Sequence, residues 1–139
     1  MPVANLAVQP TVAQPTTAVP ELAEIMATEE VGSVIVEKAG RPVGIVTDRD
    51  IAHTVADHDD LSLLDAEDIM TEDPITVEAD AEAVELPERM ADAKARRIPV
   101  VEDGKLIGVA TLDDVVATTG EELHDIATVI EAQSPEYSP

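Results

Sequence analysis

Apolar and polar positions along the first half of the chain predict a pair of neighbouring strands. Residues 33–37 and 42–47 are short runs rich in Val and Ile, which is typical of buried strands. The turn between them contains Gly40, and a Gly-containing turn between two such runs favours a β-hairpin.

Helical spacing appears on both sides of this hairpin. Residues 16–30 carry apolar side chains at helical intervals behind Thr residues that can cap a helix N-terminus, and Pro20 suits a first turn. A second helix is predicted to open at Thr47. With a short strand at Thr11-Val12, the predicted order is strand, helix, strand, strand, helix.

The same pattern recurs 64 residues later, which indicates an internal repeat. Residues 33–55 align with residues 97–119, so that Thr47 falls on Thr111 and Asp50 on Asp114. Further upstream, a slip of one residue is needed to align Thr11-Val12 with Thr76-Val77. Because a unit of about 60 residues buries little surface alone, the two copies are expected to pack on each other.

The repeat leaves two further segments, each with helical periodicity. Residues 59–71 predict a connecting helix that ends near Met70, and Pro87 in the second unit is expected to kink or delay its helix. Residues 121–133 predict one more amphipathic helix, followed by a loose tail over 134–139. The predicted division is a first repeat over 1–58, a connecting helix over 59–71, a second repeat over 72–120, and a C-terminal helix and tail over 121–139. The fold class is α+β (α/β).

Charge narrows the classes of partner. The chain has 30 acidic and 8 basic residues and a net charge of −22, spread along its length. Nucleic acid and anionic membranes bind through positive charge, so neither is an expected partner. Since 45% of residues are hydrophobic, we expect a folded core. Dispersed acidity predicts a halophilic protein that works in concentrated salt, and an acidic face for a basic partner is the competing interpretation.

Other classes of site find little support in the sequence. The chain has no Cys, no apolar run of membrane-spanning length and no basic N-terminal leader, so a cytoplasmic protein is predicted. His53 and His58 are five residues apart and do not share a helix face, so no metal site is expected. No catalytic constellation is indicated either.

The repeated frame Gly-x-x-Thr-x-x-Asp is the strongest candidate for chemistry. A Thr before a helix with an acidic residue three positions later has the form of a capping box, which needs no ligand. The frame also follows a buried strand directly, and free N–H groups at a helix N-terminus attract phosphate. An Asp carboxylate can accept hydrogen bonds from ribose hydroxyls. Both interpretations are open at this point.

Several segments together resemble a known family, the cystathionine β-synthase (CBS) domain pair or Bateman module. They are residues 31–52, 68–77 and 96–116, combined with the repeat, and the resemblance extends over about residues 8–120. It implies two β-α-β-β-α units that pack sheet to sheet with pseudo-twofold symmetry. It also implies two clefts that can bind adenosine compounds such as AMP, ADP, ATP, NAD or S-adenosylmethionine.

Carried over residue by residue, the resemblance implies a set of ligand-binding positions. Ribose and phosphate would be held by Thr47 with Asp50 in one cleft, and by Thr111 with Asp114 in the other. The adenine would lie against the middle and first strands, at Ser33, Val34, Ile35, Arg97, Ile98, Pro99, Thr11, Val12, Thr76 and Val77. The first unit departs from the pattern, because residues 5–10 stand where the second unit has its Asp68–Thr71 entry.

The resemblance implies a regulatory module and not an enzyme. It would require no cofactor, bind an adenine nucleotide, form a homodimer and act on an unidentified partner protein. The few available cations, among them Arg49, Arg96 and Arg97, favour AMP over ATP unless a metal ion assists. The alternative is a dimerisation or scaffold module with vestigial clefts.

Overall fold

Two β-sheets with flanking helices form the fold of residues 1–133, the part of the chain that the computed structural model describes. One sheet has the strand order β1-β2-β3-β4 and the other β5-β6-β7. The strands are β1 (Val12–Ala13), β2 (Ser33–Lys38), β3 (Arg41–Thr47), β4 (Thr71–Glu72), β5 (Val77–Glu78), β6 (Arg97–Glu102) and β7 (Lys105–Thr111). The helices are α1 (Val19–Glu29), α2 (Asp48–Asp57), α3 (Ala66–Ile69), α4 (Leu86–Ala93) and α5 (Leu112–Gln133). The predicted α+β class is confirmed.

Both predicted hairpins are present and have the same register. Ser33 lies opposite Thr47 in the β2–β3 pair, and Arg97 lies opposite Thr111 in the β6–β7 pair. Each pair has an irregularity at the corresponding place, after Val36 and after Val100. Both turns place two successive residues at positive φ, which matches the right-handed twist of the strands.

The one-residue slip that the sequence alignment required is wrong. Ala13 pairs with Val36 and Val77 pairs with Val100, so the first strands keep the 64-residue offset. Both Ala13 and Val77 are buried in a core, and burial on one face determines strand register. The alignment slipped because the Thr-Val dipeptide occurs in both units at different places in the strand. The structural counterpart of Thr11 is Ile75.

Each unit has its own hydrophobic core, and each core is completed by the segment that precedes the other unit's first strand. Val3 is fully buried in the second core, beside Leu86 and Ile98. The Val3 amide donates to the Ala81 carbonyl at 2.8 Å. Conversely, α3 and β4 pack on the first unit, where Ala66 is fully buried. The N-terminal segment therefore fills the place in the second unit that residues 66–72 fill in the first.

Val8, in the same N-terminal segment, pairs with β7 at the edge of the second unit's sheet. Its backbone N–H and C=O both bond with Val109 at 2.9 Å, as β4 bonds with β3 in the other sheet. A Cβ added to Gly108 would lie 3.0 Å from the Val8 carbonyl oxygen and 2.9 Å from the Ala7 Cβ. The glycine is needed here because the two backbones approach closely.

The predicted connecting helix over residues 59–71 is wrong. The segment contains a 3-10 turn over Leu61–Leu63 and the four-residue α3, separated by Leu64 and Asp65. The Ser62 hydroxyl and amide donate to the Asp60 carboxylate, which lowers the pKa of Asp60, and the Asp65 amide donates to Asp68. Because Asp side chains compete for backbone amides, each Asp starts a new turn and does not continue a helix.

In the C-terminal region, one helix is present where two were predicted. The helix that opens after Thr111 and the predicted helix over 121–133 form one continuous helix, the 22-residue α5. Gly120 lies inside this helix without interrupting it, and a Cβ added there would meet open space. The predicted tail over 134–139 lies outside the described residues. In the second unit, the predicted delay at Pro87 is confirmed, because a 3-10 turn precedes α4 and places the proline in its first turn.

Gly120→Ala is expected to stabilise the protein by about 1 kcal/mol, since Ala is the better helix former by that amount and nothing crowds the new methyl group. Urea unfolding followed by circular dichroism at 222 nm measures the change. Gly40→Ala is the matched control, because Gly40 has φ +79° and the same substitution there should lower stability. A loss of stability in Gly120→Ala would contradict the continuous helix.

Candidate functional site

The repeated Thr-x-x-Asp frame forms a helix cap at the end of each hairpin. In the first unit the capping box is complete. The Asp50 amide donates to Thr47 Oγ1 at 3.2 Å, and the Thr47 amide donates to Asp50 Oδ2 at 2.8 Å. In the second unit the Asp114 amide donates to Thr111 Oγ1 at 3.2 Å, but within residues 1–133 no group donates to the Asp114 carboxylate. Both predicted helix starts are confirmed.

The caps leave hydrogen-bonding capacity for a ligand. A Thr hydroxyl has one donor and two acceptor sites, and the cap uses only an acceptor site of Thr47. A carboxylate has about four acceptor sites, and the cap uses one of those on Asp50. Capping and ligand binding are therefore compatible at this frame.

The first cleft is a cavity of about 360 Å³ on one side of the contact between β3 and β7. It joins the Thr47-Asp50 frame of the first unit to α4 and β6 of the second unit. Its volume is within the range of small-molecule sites. Its lining residues are Ile45, Thr47, Asp50, Thr71, Asp73, Pro74, Ile75, Asp92, Ala93, Lys94, Ala95, Arg97 and Ile98.

The second cleft is the symmetry counterpart, with a volume of only about 150 Å³. Its lining is Val8, Gln9, Thr11, Val31, Ser33, Ile35, Ile45, Arg97, Pro99 and Val109. At the 64-residue offset, the corresponding residues of the two clefts are Ile45 with Val109, Ile75 with Thr11, Ala95 with Val31, and Arg97 with Ser33. Thr71 and Val8 correspond through their pairing with Ile45 and Val109.

A central cavity of about 530 Å³ lies between the N-termini of α2 and α5. It adjoins both clefts, because Ser33, Ile45 and Arg97 line it as well. Its cations are Arg49, Lys94, Arg96 and Arg97, and its acidic residues are Asp48 and Asp113. Arg96 pairs with Asp113 at 3.2 Å, but both side chains are more than 70% exposed, and such pairs contribute little stability.

The structure brings together ten of the fifteen predicted ligand-binding residues. Thr47, Asp50, Arg97 and Ile98 line the first cleft; Thr11, Ser33, Ile35 and Pro99 line the second; Arg49 and Thr111 line the central cavity. The other five, Val12, Val34, Thr76, Val77 and Asp114, do not line these three cavities. Val34 and Val77 are buried in the two cores, so their side chains point away from the clefts.

Sequence reasoning missed part of the first cleft's wall. Thr71, Asp73, Pro74 and Ile75 line it because the chain passes there from one unit to the other. Lys94 was missed as well, although it lies three residues before Arg97 and ends α4 in the left-handed conformation. The repeat could have indicated Lys94, because it aligns this residue with Glu30 at the end of α1.

The described part of the chain, residues 1–133, contains no group of three His, Asp or Glu side chains that could hold a metal ion. No helix among residues 1–133 has the length and apolarity to span a membrane.

Comparison with known proteins identifies the family. The model of the CBS domain matches residues 4–57 and again residues 66–119. The uncharacterized protein MK0525 of Methanopyrus kandleri is 40% identical in an alignment 119 residues long, which covers 78% of this chain and 61% of that protein. The chain thus spans less than two thirds of this relative's length.

Solved structures agree with the family match. The CBS domain protein PAE2072 from Pyrobaculum aerophilum, solved in complex with AMP, is 29% identical with a TM-score of 0.75, over 82% of this chain and 89% of that one. The CBS domain pair of protein MJ0100, solved with 5′-methylthioadenosine and S-adenosyl-L-methionine, is 25% identical with a TM-score of 0.76, over 88% and 98% of the two chains. With two matched repeats, two sheets and this common architecture, the chain belongs to the CBS domain family as a CBS domain pair.

Proposed function

We propose that this CBS pair is a regulatory sensor that binds an adenine nucleotide, with AMP as the preferred ligand, and is not an enzyme. The observation that carries the proposal is the first cleft, where the Thr47-Asp50 frame of one unit faces Arg97 of the other across a cavity of about 360 Å³. The AMP complex of PAE2072 supports the choice of ligand.

Each wall of the first cleft suits one part of AMP. The Asp50 carboxylate accepts hydrogen bonds from the ribose hydroxyls, and the Thr47 hydroxyl donates to ribose or phosphate. Arg97 and Lys94 neutralise the phosphate. The adenine lies against the apolar wall that Ile45, Ile75, Ala95 and Ile98 form.

The cleft explains how binding would be reported. Its lining comes from both units, so a ligand contacts both at once and favours the arrangement that best closes around it. The shift toward this arrangement of the two units would alter a surface of the CBS pair to which a partner protein binds. Regulation of a partner by nucleotide binding is thus the proposed output.

An apolar stripe on α5 supports assembly into a homodimer. Val116, Leu123 and Ile130 recur at seven-residue intervals and are 61%, 61% and 41% exposed, with Ile126 beside them. Apolar residues at this spacing form one helix face, which a second α5 could cover. This stripe also supports the second candidate function, a scaffold whose clefts bind nothing and whose Thr-x-x-Asp frames serve only as caps.

Thermal unfolding with AMP tests the proposal. In molar KCl, AMP at 100 times its dissociation constant should add about 2.7 kcal/mol and raise the midpoint by roughly 6–10 °C. GMP is the matched control, since it carries the same ribose and phosphate with another base, and no comparable rise is expected. Folded, nucleotide-free protein that responds to no adenine compound would reject the sensor in favour of the scaffold.

A further inference from the structure

We propose that the two clefts accept ligands of different charge: the first cleft takes an adenosine phosphate, whereas the second excludes it and takes an adenosine compound with a cationic group in place of the phosphate. This inference rests on the proposed function, because it assumes that the clefts bind adenosine compounds. It goes beyond that function by assigning one ligand class to each cleft.

The charges at corresponding positions of the two units carry the proposal. Where α4 ends and β6 begins, the second unit supplies two cations to the first cleft, Lys94 and Arg97, and a third, Arg96, to the adjoining central cavity. The first unit supplies no cation at the corresponding positions and has two carboxylates. The aligned pairs are Ala93 and Glu29, Lys94 and Glu30, Arg96 and Gly32, and Arg97 and Ser33.

The structure shows that these positions correspond in space as well as in sequence. Glu30 and Lys94 each end a helix in the left-handed conformation, with φ of 56° and 52°. Ser33 and Arg97 each open a strand opposite the capping Thr of their own unit. The charge difference therefore lies at equivalent places and does not reflect a shifted alignment.

A hydrogen bond places one of the carboxylates beside the second cleft. Thr11 lines this cleft, and its hydroxyl donates to Glu29 Oε2 at 2.7 Å. A phosphate in the second cleft would thus lie near the Glu29 carboxylate, and repulsion between like charges disfavours it. A cationic substituent on the ribose would be attracted by the same carboxylate.

Arg97 borders both clefts, and this increases the difference between them in affinity for phosphate. A single guanidinium can neutralise one phosphate at a time. In the first cleft it acts together with Lys94, whereas in the second cleft no other cation lines the wall within the described residues. The first phosphate bound therefore takes the guanidinium, and a second phosphate would be left without a partner.

Isothermal titration with two probes tests the assignment. AMP is expected to bind with one molecule per chain, and S-adenosylmethionine, whose sulfonium and ammonium groups are cationic, is expected to bind one further site in AMP-saturated protein. Glu29→Gln, which removes the carboxylate beside the second cleft, should weaken S-adenosylmethionine binding by about tenfold, the effect of losing attraction between opposite charges. The double variant Glu30→Lys with Ser33→Arg, which copies the cations of the first cleft, should bind a second AMP.

The outcomes separate this inference from the function on which it rests. Two AMP molecules per parent chain, or competition between the two probes for one site, would overturn the charge assignment while leaving the sensor intact. Binding of neither probe to folded protein would overturn both. Circular dichroism of each variant confirms that the protein titrated is folded, and exposed Glu30 and half-buried Ser33 tolerate longer side chains.

Discussion

Val3→Asp is expected to lower the free energy of unfolding by about 3–5 kcal/mol, the cost of an uncompensated buried charge. Val3 is fully buried among apolar side chains of the second core, and its amide is already bonded to Ala81. A small domain is stable by only about 5–15 kcal/mol, so this loss removes much of the margin. The second unit should unfold at markedly lower denaturant concentration.

Asn5→Asp is the matched control for Val3→Asp. It adds the same charge to the same segment, but Asn5 is exposed, so the change in stability should stay within about 0.5 kcal/mol. Urea unfolding in molar KCl, followed by circular dichroism, compares the two variants. Equal stabilities would show that the N-terminal segment does not belong to the second core.

Asp50→Ala is expected to weaken AMP binding by about 100-fold or more. The carboxylate would accept two hydrogen bonds from the ribose hydroxyls, and hydrogen bonds to a charged group contribute about 1.5–3 kcal/mol each. The variant also loses the bond from the Thr47 amide, which should cost about 1 kcal/mol of stability. Titration calorimetry measures the affinity and urea unfolding measures the stability.

Asp48→Ala controls for the removal of a negative charge from the same helix turn. Asp48 is exposed and, among residues 1–133, accepts a bond only from the Arg49 amide, so AMP affinity should be kept or slightly raised. If Asp50→Ala loses its cap stability while its AMP affinity equals that of the parent, the frame is only a helix cap. That result would show that Asp50 does not bind AMP.

Local sequence patterns predicted most of the elements, because their causes are local. The apolar runs around Val34 and Val46 form strands, and the Gly-containing turns close the hairpins. The frame at Thr47 caps its helix through bonds between residues three apart. Two predictions failed: Asp60 and Asp65 start new turns within the predicted connecting helix, and the two helices predicted at the C-terminal side are the single helix α5.

The sequence by itself determined the repeat, the hairpins, the two helix caps and membership of the family, since each depends on residue types at short or constant spacing. Only the tertiary structure decided that Val3 completes the opposite unit's core and that Ala13, not Val12, corresponds to Val77. It also decided that Arg97 and Lys94 face the Thr47-Asp50 frame from the other unit. These arrangements depend on how two small units bury their remaining apolar surface against each other. Such contacts join residues that are far apart in the chain, so local sequence patterns do not predict them.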